Sequence, residues 1–245
     1  MLLRRITKHV RDQNWFAVFI DFIIVVVGIL IAFQITEWSE QRQEASLEII
    51  YLNRLVVDLD ETINYLDSQN QQQVKIKENI ESALATLNNS ETSDQELIAA
   101  TRLYISKGTA LGGFKVTRNT FDDLQSTGNL SLITNEELVK SLGQLHTNFT
   151  ENNLAALVNS DWVNPFESKI TWEMDFLRFD SATEHLFPKK NTAEIAQHIR
   201  ENSELLTRHA SLHYWYVATI SDDYKSAGEE AMVVRAMIKD ELERR

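Results

Sequence analysis

The stretch from Trp15 to Trp38, WFAVFIDFIIVVVGILIAFQITEW, decides the fold. Up to Phe33 its residues are apolar or small except Asp21. A helix that rises about 1.5 Å per residue crosses a bilayer core of about 30 Å over this length. Trp15 and Trp38 suit the two interfaces, where an indole keeps its ring in apolar surroundings and its N–H in water. The pattern predicts a transmembrane helix over residues 15–37.

The charges that flank this segment predict its orientation. Four basic residues and one acid precede it, whereas acids dominate just after it (Arg4, Arg5, Lys8, Arg11 and Asp12 before; Glu37, Glu40, Arg42 and Glu44 after). The positive-inside rule then predicts a cytoplasmic tail over residues 1–14 and a periplasmic body over residues 38–245 of a bacterial inner-membrane protein. The apolar core is longer than that of a secretory signal and lacks a small-residue cleavage site, which favours an uncleaved signal anchor.

Composition narrows the class of partner. The net charge of -12 divides into +3 for residues 1–14, -1 for Asp21 and -14 for residues 35–245. Such an acidic body argues against nucleic acid and anionic lipid as its partners. The chain has no cysteine, which excludes disulfides and thiol chemistry.

Two heptad stripes predict an all-α body. The first lies on a stalk helix that continues from the span, because residues 34–45 hold no Gly or Pro; the second lies on a long C-terminal helix that starts near Ser203. We expect these two helices to pack antiparallel, with the helices between them folded as a cap. The first stripe consists of Ala45, Ile49, Leu52, Val56, Leu59, Ile63, Leu66, Ile80, Leu84 and Leu87, and the second of Leu206, Ala210, His213, Val217, Ile220, Tyr224, Ala227, Ala231, Val234, Ile238 and Leu242.

The first stripe is interrupted by Asn70, Gln73 and Lys77, a polar patch that is typical of a register-setting or solvated segment and less often of a ligand site.

Capping boxes at Ser93 with Glu96 and at Thr134 with Glu137 predict two helix starts, the second helix running from Asn135 to about Thr147. Gly128 is expected to end a short helix in a left-handed turn, with Leu130, Leu132 and Ile133 filling the corner. Residues 107–120 are expected to form a connector, because their glycines lack the spacing of a phosphate-binding motif.

Aromatic residues are concentrated in residues 149–180 (Phe149, Trp162, Phe166, Trp172, Phe176 and Phe179). Such spacing favours a core role, with an exposed partner patch as the alternative. Pro165 is expected to end one helix and begin another. A connector over residues 181–191 and a helix over residues 192–199 complete the predicted body.

Few residues in the sequence are candidates for binding a metal or for catalysis. His209 and His213 stand at i and i+4 and are able to share a metal, but zinc needs further ligands, so a satisfied histidine pair is the favoured interpretation. The paired acids Asp58 with Asp60 and Asp222 with Asp223 are typical of solvated helix faces. No serine lies in a Gly-x-Ser-x-Gly elbow. The sequence therefore predicts no catalytic residue, no metal site and no cofactor, and favours a protein that is not an enzyme.

The anchor core VVVGILIAFQITEW and the corner FDDLQSTGNLSLITNEEL, which starts at Phe121, together resemble a family of uncharacterised bacterial proteins with one N-terminal span and a helical body. Asp21 resembles the acid near the start of that family's span, and Leu124 with Gly128 resembles its Leu-x-x-x-Gly corner. The resemblance covers about 35 residues. It implies the same anchored helical architecture and adds no site residues.

The leading hypothesis is a structural or interaction protein, a scaffold or adaptor that contacts membrane lipid and either a second copy or a membrane-protein partner. Gly28 and Ala32 form a small-xxx-small pair through which two spans are able to pack closely. The alternative is a subunit of an ion-driven or sensory complex that uses Asp21, because ionisable residues inside a span often lie on ion paths.

Overall fold

The computed structural model describes residues 15–107, 114–175, 178, 180 and 182–245. Their helices are α1 (Trp15–Asn88), α2 (Asp94–Lys107), α3 (Asn119–Thr127), α4 (Glu136–Glu173), α5 (Thr192–Glu201) and α6 (Ser203–Arg244), with 3-10 turns at Asn129–Leu132 and Glu184–Leu186. These residues form no strands, which confirms the all-α prediction. The chain divides into two compact units, Met1–Tyr51 and Leu52–Arg245.

The first unit is described from Trp15 onward and consists of the first half of α1. The helix continues through residues 34–45 without a break, as expected from the absence of Gly and Pro there. The apolar part of this helix is not buried by other parts of the chain, and it is long and apolar enough to cross a membrane, a property that signal sequences share. The basic tail of residues 1–14 lies outside the described residues.

In the second unit, α6 runs antiparallel to two other long helices. Along α1, residues of increasing number meet residues of decreasing number on α6: Asp60 pairs with Arg235, Asn70 with Ser221, and Glu81 with Tyr214. Along α4, Asn135 contacts Glu241, Asn148 contacts Glu230, and Trp162 contacts Trp215. The predicted pairing of the stalk helix with the C-terminal helix is thus confirmed, and α4 adds a third long helix to the core.

The stripe on α6 is confirmed at ten of its predicted positions. Every residue from Leu206 to Ile238 in that stripe is buried, including the small pair Ala227 and Ala231. At the end of the helix the buried residue is Glu241, not Leu242. This carboxylate tolerates burial because Asn135 donates a hydrogen bond to it and Arg245 forms an ion pair with it, and both interactions lower its pKa.

The stripe on α1 is displaced by one residue at alternate positions. Leu52, Leu59, Leu66 and Ile80 are buried as predicted. The other buried residues of the stripe are Leu55, Thr62, Ile76 and Ala83, and each of them lies one residue before the position that the predicted register requires. Thr62 belongs to the core because its hydroxyl accepts a hydrogen bond from the backbone N–H of Thr117. Apolar neighbours such as Leu55 and Val56 fit either register equally well.

The polar patch on α1 faces the core. Gln73 is 1% exposed, Asn70 accepts a hydrogen bond from Ser221 at 2.5 Å, and the Lys77 ammonium lies 5.2 Å from the centre of the Tyr214 ring. The solvated interpretation is therefore wrong for Gln73. Polar contacts with α6 at this level fit the register-setting interpretation, because they match one alignment of the two helices.

The corner between α3 and α4 is mostly as expected. Gly128 follows α3 with φ of 75°, the left-handed conformation that glycine adopts at least cost. Ile133 is buried in the corner, whereas Leu130 and Leu132 are half-buried. The N-cap of α4 is Asn135, whose side chain accepts from the backbone N–H of Leu138, so the capping box predicted at Thr134 is wrong by one residue. The box of Ser93 with Glu96 is confirmed.

Pro165 does not end a helix, because α4 continues from Glu136 to Glu173 with this proline inside it. A proline removes the hydrogen bond to the carbonyl four residues earlier, here that of Asp161. Both Pro165 and Asp161 are exposed, so water is able to solvate that carbonyl. The predicted end of this helix near Thr147 is also wrong, because the helix continues to Glu173.

Candidate functional site

The residues singled out in the apolar segment share one side of α1. Asp21, Gly28 and Ala32 are separated by seven and four residues, which places them within a narrow arc of a helix with 3.6 residues per turn. All three are exposed, and a methyl group added at Gly28 would contact nothing within 4 Å. Trp38 is also exposed, with the Arg42 guanidinium 5.4 Å from its ring centre. The side chain of Trp15 is outside the described set.

The His209 and His213 pair lies in the core of the second unit. Both side chains are buried, their ring centres are 4.9 Å apart, and Tyr104 of α2 shares a hydrogen bond with Nδ1 of His209. Among the described residues no group of three or more His, Cys, Asp or Glu side chains is placed to hold a metal. The pair therefore connects α2 to α6 by packing and hydrogen bonding.

The acids Asp58 and Asp60 remain partly exposed, as expected, but each also contacts another helix. Asp58 accepts a hydrogen bond of 2.7 Å from the backbone N–H of Thr120, near the start of α3, and Asp60 forms an ion pair with Arg235. A carboxylate at a helix start is stabilised by the dipole of that helix. These two acids fix α3 and α6 to α1, which is a structural role.

His146 lies at the junction of α3 and α4 and was not singled out by sequence. Its ring stacks on Phe121 with centres 4.0 Å apart and meets Phe149 edge to face at 6.0 Å. It is 5% exposed, and Nδ1 has no hydrogen-bond partner among the described residues. Burial, reinforced by the nearby Arg118 charge, lowers its pKa to about 4. His146 is therefore neutral near pH 7 and packs as an aromatic side chain.

The most distinctive surface of the second unit lies on α4. Leu154, Leu157, Val158, Trp162 and Phe166 are each about half exposed or more and form what we call the α4 apolar face. Four of them recur at every fourth residue and so form one ridge along the helix. Between residues 152 and 166 the sequence has one charged side chain, that of Asp161.

The α4 apolar face corrects the sequence interpretation of the aromatic segment. Trp162, Phe166 and Trp172 are exposed and not core residues, although Phe149 is buried as predicted. Phe176 and Phe179 lie outside the described residues, as do residues 108–113 of the predicted connector. The four-residue spacing and the near absence of charge are visible in the sequence, but neither shows whether the ridge points inward or outward.

A groove of about 400 Å³ borders the α4 apolar face. It lies between α4 and the first turns of α6. Its lining combines apolar side chains with three basic ones: Trp162, Phe166, Ile170, Leu205 and Leu212, together with Lys169, Arg208 and His209. The Trp162 ring meets the exposed Trp215 ring edge to face at 5.7 Å, and Phe166 at 6.0 Å. The apolar surface thus extends from α4 onto α6.

The comparisons with known proteins concern the first half of the chain. A family model, described as a family of unknown function (DUF6090), matches residues 21–135, slightly under half of the 245 residues. This segment starts at Asp21 and ends at Asn135, the N-cap of α4, so it includes the apolar helix from Asp21 onward, the Leu52–Asn88 part of α1 and the α3 corner. No curated protein and no solved structure matches the chain.

Proposed function

We propose that this protein is a membrane-anchored helical scaffold or adaptor, whose body associates with a second copy through the α4 apolar face. The observation that carries this proposal is the exposed ridge of Leu154, Val158, Trp162 and Phe166 on a body that is otherwise strongly acidic. Exposed apolar patches of this extent on a folded domain mark interaction surfaces.

Three properties favour a second copy as the occupant. A ridge with four-residue spacing packs into the matching groove of an identical helix. Bodies that each carry a charge of -14 repel one another least where they meet on a nearly uncharged surface. With Trp215, the six side chains offer on the order of 600 Å² of apolar surface, so a symmetric pair buries about 1,200 Å², the lower limit for a stable interface.

The membrane anchor is the second part of the proposal. The apolar half of α1 serves as a single span, with the basic tail in the cytoplasm and the body in the periplasm of a bacterial inner membrane. Support comes from the exposed apolar helix and from the asymmetry of the flanking charges. Gly28 and Ala32 would let the spans of two copies approach each other closely.

The test places a photo-crosslinking amino acid at Val158 in the full chain, in intact cells. Val233 on α6 is the matched control, because it is also a valine and is 62% exposed, compared with 59% for Val158. The expected adduct from position 158 has twice the 28.2 kDa mass of the chain, and position 233 gives none. If position 158 forms adducts only with other proteins, the α4 apolar face binds a different partner and not a second copy. If position 158 forms no adduct at all, the proposal that this face is a docking surface is refuted.

A second candidate function is a subunit of an ion-driven or sensory complex. It is favoured by the position of Asp21 on the same side of α1 as Gly28 and Ala32, the side through which a neighbouring span would pack. Asp21→Asn keeps the shape of the side chain and cannot exchange a proton. The scaffold function predicts that this variant assembles and complements a deletion strain, whereas an assembled variant that fails to complement favours the ion-coupled function.

A further inference from the structure

A cavity of about 410 Å³ in the second unit is lined by basic side chains. It lies between α2, the 3-10 turn Glu184–Leu186 and the connector that leads into α5. Arg102, Arg178, Lys189 and Lys190 line it, and Glu184 is the acid among its described lining residues. In a chain with 36 acidic and 24 Lys and Arg residues, this arrangement opposes the overall charge. We propose that this cavity binds a ligand that carries a phosphate monoester.

The two arginines are held in place by neighbouring acids. The Arg102 guanidinium lies 2.5 Å from a Glu184 oxygen, and Arg178 lies 2.5 Å from Asp175 and 5.1 Å from the centre of the Phe187 ring. Each ion pair uses only part of the five N–H donors of a guanidinium. Nε of Arg102 is buried and has no hydrogen-bond partner among the described residues. Oriented guanidinium groups are well suited to bind phosphate oxygens.

The two lysines have no ion-pair partner among the described residues. Lys189 and Lys190 are exposed, and the ion pairs found across the described residues include neither of them. Because Glu184 and Asp175 neutralise the two arginines, the lysines leave two positive charges at the cavity. A phosphate monoester carries a charge of about -1.5 to -2 near pH 7, which is larger than the single negative charge of a carboxylate. This match favours phosphate over carboxylate ligands.

The remaining wall of the cavity is apolar. Phe187, Pro188 and Ile195 face the same space. The volume lies within the range of small-molecule sites, about 300–1,000 Å³. A ligand with a compact apolar group next to its phosphate therefore fits better than inorganic phosphate. A free organic phosphate and the phosphate of a lipid headgroup share this chemistry.

The test is calorimetric titration of the full chain in phosphatidylcholine nanodiscs. The probes are phenyl phosphate, inorganic phosphate, neutral phenol and the short-chain lipid dihexanoyl phosphatidic acid. We expect saturable binding of phenyl phosphate, weaker binding of inorganic phosphate and none of phenol. Lys189→Gln with Lys190→Gln should weaken phenyl phosphate binding at least tenfold. The matched control is Lys225→Gln with Lys239→Gln, which makes the same charge change at two exposed lysines of α6 and should leave the affinity unchanged.

The two lysine pairs separate a defined site from general attraction. Equal losses in both double variants, or binding of neither phosphate probe nor the short-chain lipid, would overturn the proposal. Binding of the lipid alone, lost with Lys189 and Lys190, would support it and assign the phosphate to a headgroup. The cavity and the α4 apolar face are separate surfaces, so this test is independent of self-association.

Discussion

Ser221 of α6 donates a hydrogen bond of 2.5 Å to the side-chain carbonyl of Asn70 on α1, across 151 residues of sequence. With Asp60 and Arg235 on one side and Glu81 and Tyr214 on the other, it fixes the alignment of the two antiparallel helices. A polar contact between two packed helices is well suited to this role, because shifting the register would leave two half-buried polar groups, those of Asn70 and Ser221, without each other as partners.

We predict that Asn70→Cys combined with Ser221→Cys forms a disulfide under mild oxidation. The chain has no other cysteine, so the product is unambiguous on a non-reducing gel. Asn70→Cys combined with Ser203→Cys is the control, since Ser203 begins α6 and lies five turns from Ser221. Efficient disulfide formation in the control and none in the test pair would contradict the antiparallel alignment.

Gly128 and Gly143 provide a matched pair of glycine substitutions. Neither would place a new methyl group within 4 Å of another residue, but Gly128 has φ of 75° and Gly143 lies inside α4. Gly128→Ala should destabilise the body by about 1–2 kcal/mol, whereas Gly143→Ala should stabilise it by about 0.5–1 kcal/mol. The readout is the free energy of urea unfolding by tryptophan fluorescence. Equal effects of the two substitutions would rule out backbone conformation as the cause.

His146 should make stability depend on pH. Its pKa is about 4 in the folded protein and about 6.5 when unfolded, so the unfolded chain binds the proton first as pH falls. Above pH 6.5 the histidine is neutral in both states and leaves the free energy of unfolding unchanged. Once the pH has fallen to 4, it lowers the free energy of unfolding by on the order of 3 kcal/mol. His146→Phe keeps the stack on Phe121 and removes this cost. The free energy of unfolding should therefore fall less between pH 6.5 and 4 in the variant, and identical slopes would show that protonation of His146 does not matter.

The orientation of the chain is testable with single cysteines, since the natural sequence contains none. Glu204 of α6 is exposed and so offers an accessible labelling position in the body. Glu204→Cys in intact spheroplasts should react with a membrane-impermeant maleimide, because the charge asymmetry predicts a periplasmic body. A cysteine introduced in residues 1–14 should react only after lysis. The reverse pattern would contradict the proposed topology.

The α6 stripe was predictable because its apolar and small residues recur without a competing register. On α1 the same reasoning placed the stripe one residue away at alternate positions, since Leu55 and Val56 are both apolar and the burial of Thr62 depends on a distant backbone N–H. The sequence predicts a helix end at Pro165, because only the fold shows that Pro165 and Asp161 are exposed and that α4 continues past them.

The candidate sites were less predictable than the helices. The four-residue spacing of the ridge from Leu154 to Phe166 is compatible with a core face, and its exposure becomes known only from the fold, in which α4 buries other positions such as Ala156 and Val163. The basic cavity combines Arg102 of α2 with Lys189 and Lys190, which are more than 80 residues away. No local pattern predicts that these residues meet.

The central claim is that two copies associate through the α4 apolar face. Sedimentation equilibrium of the full chain in a non-ionic detergent tests it, comparing the wild type with Val158→Glu and Val233→Glu. In a symmetric pair, Val158→Glu brings two carboxylates into the interface and should raise the dissociation constant at least tenfold, about 1.4 kcal/mol. Val233→Glu should leave the constant unchanged. Equal dissociation constants for the two variants, or a wild-type chain that stays monomeric at all concentrations, would contradict the claim.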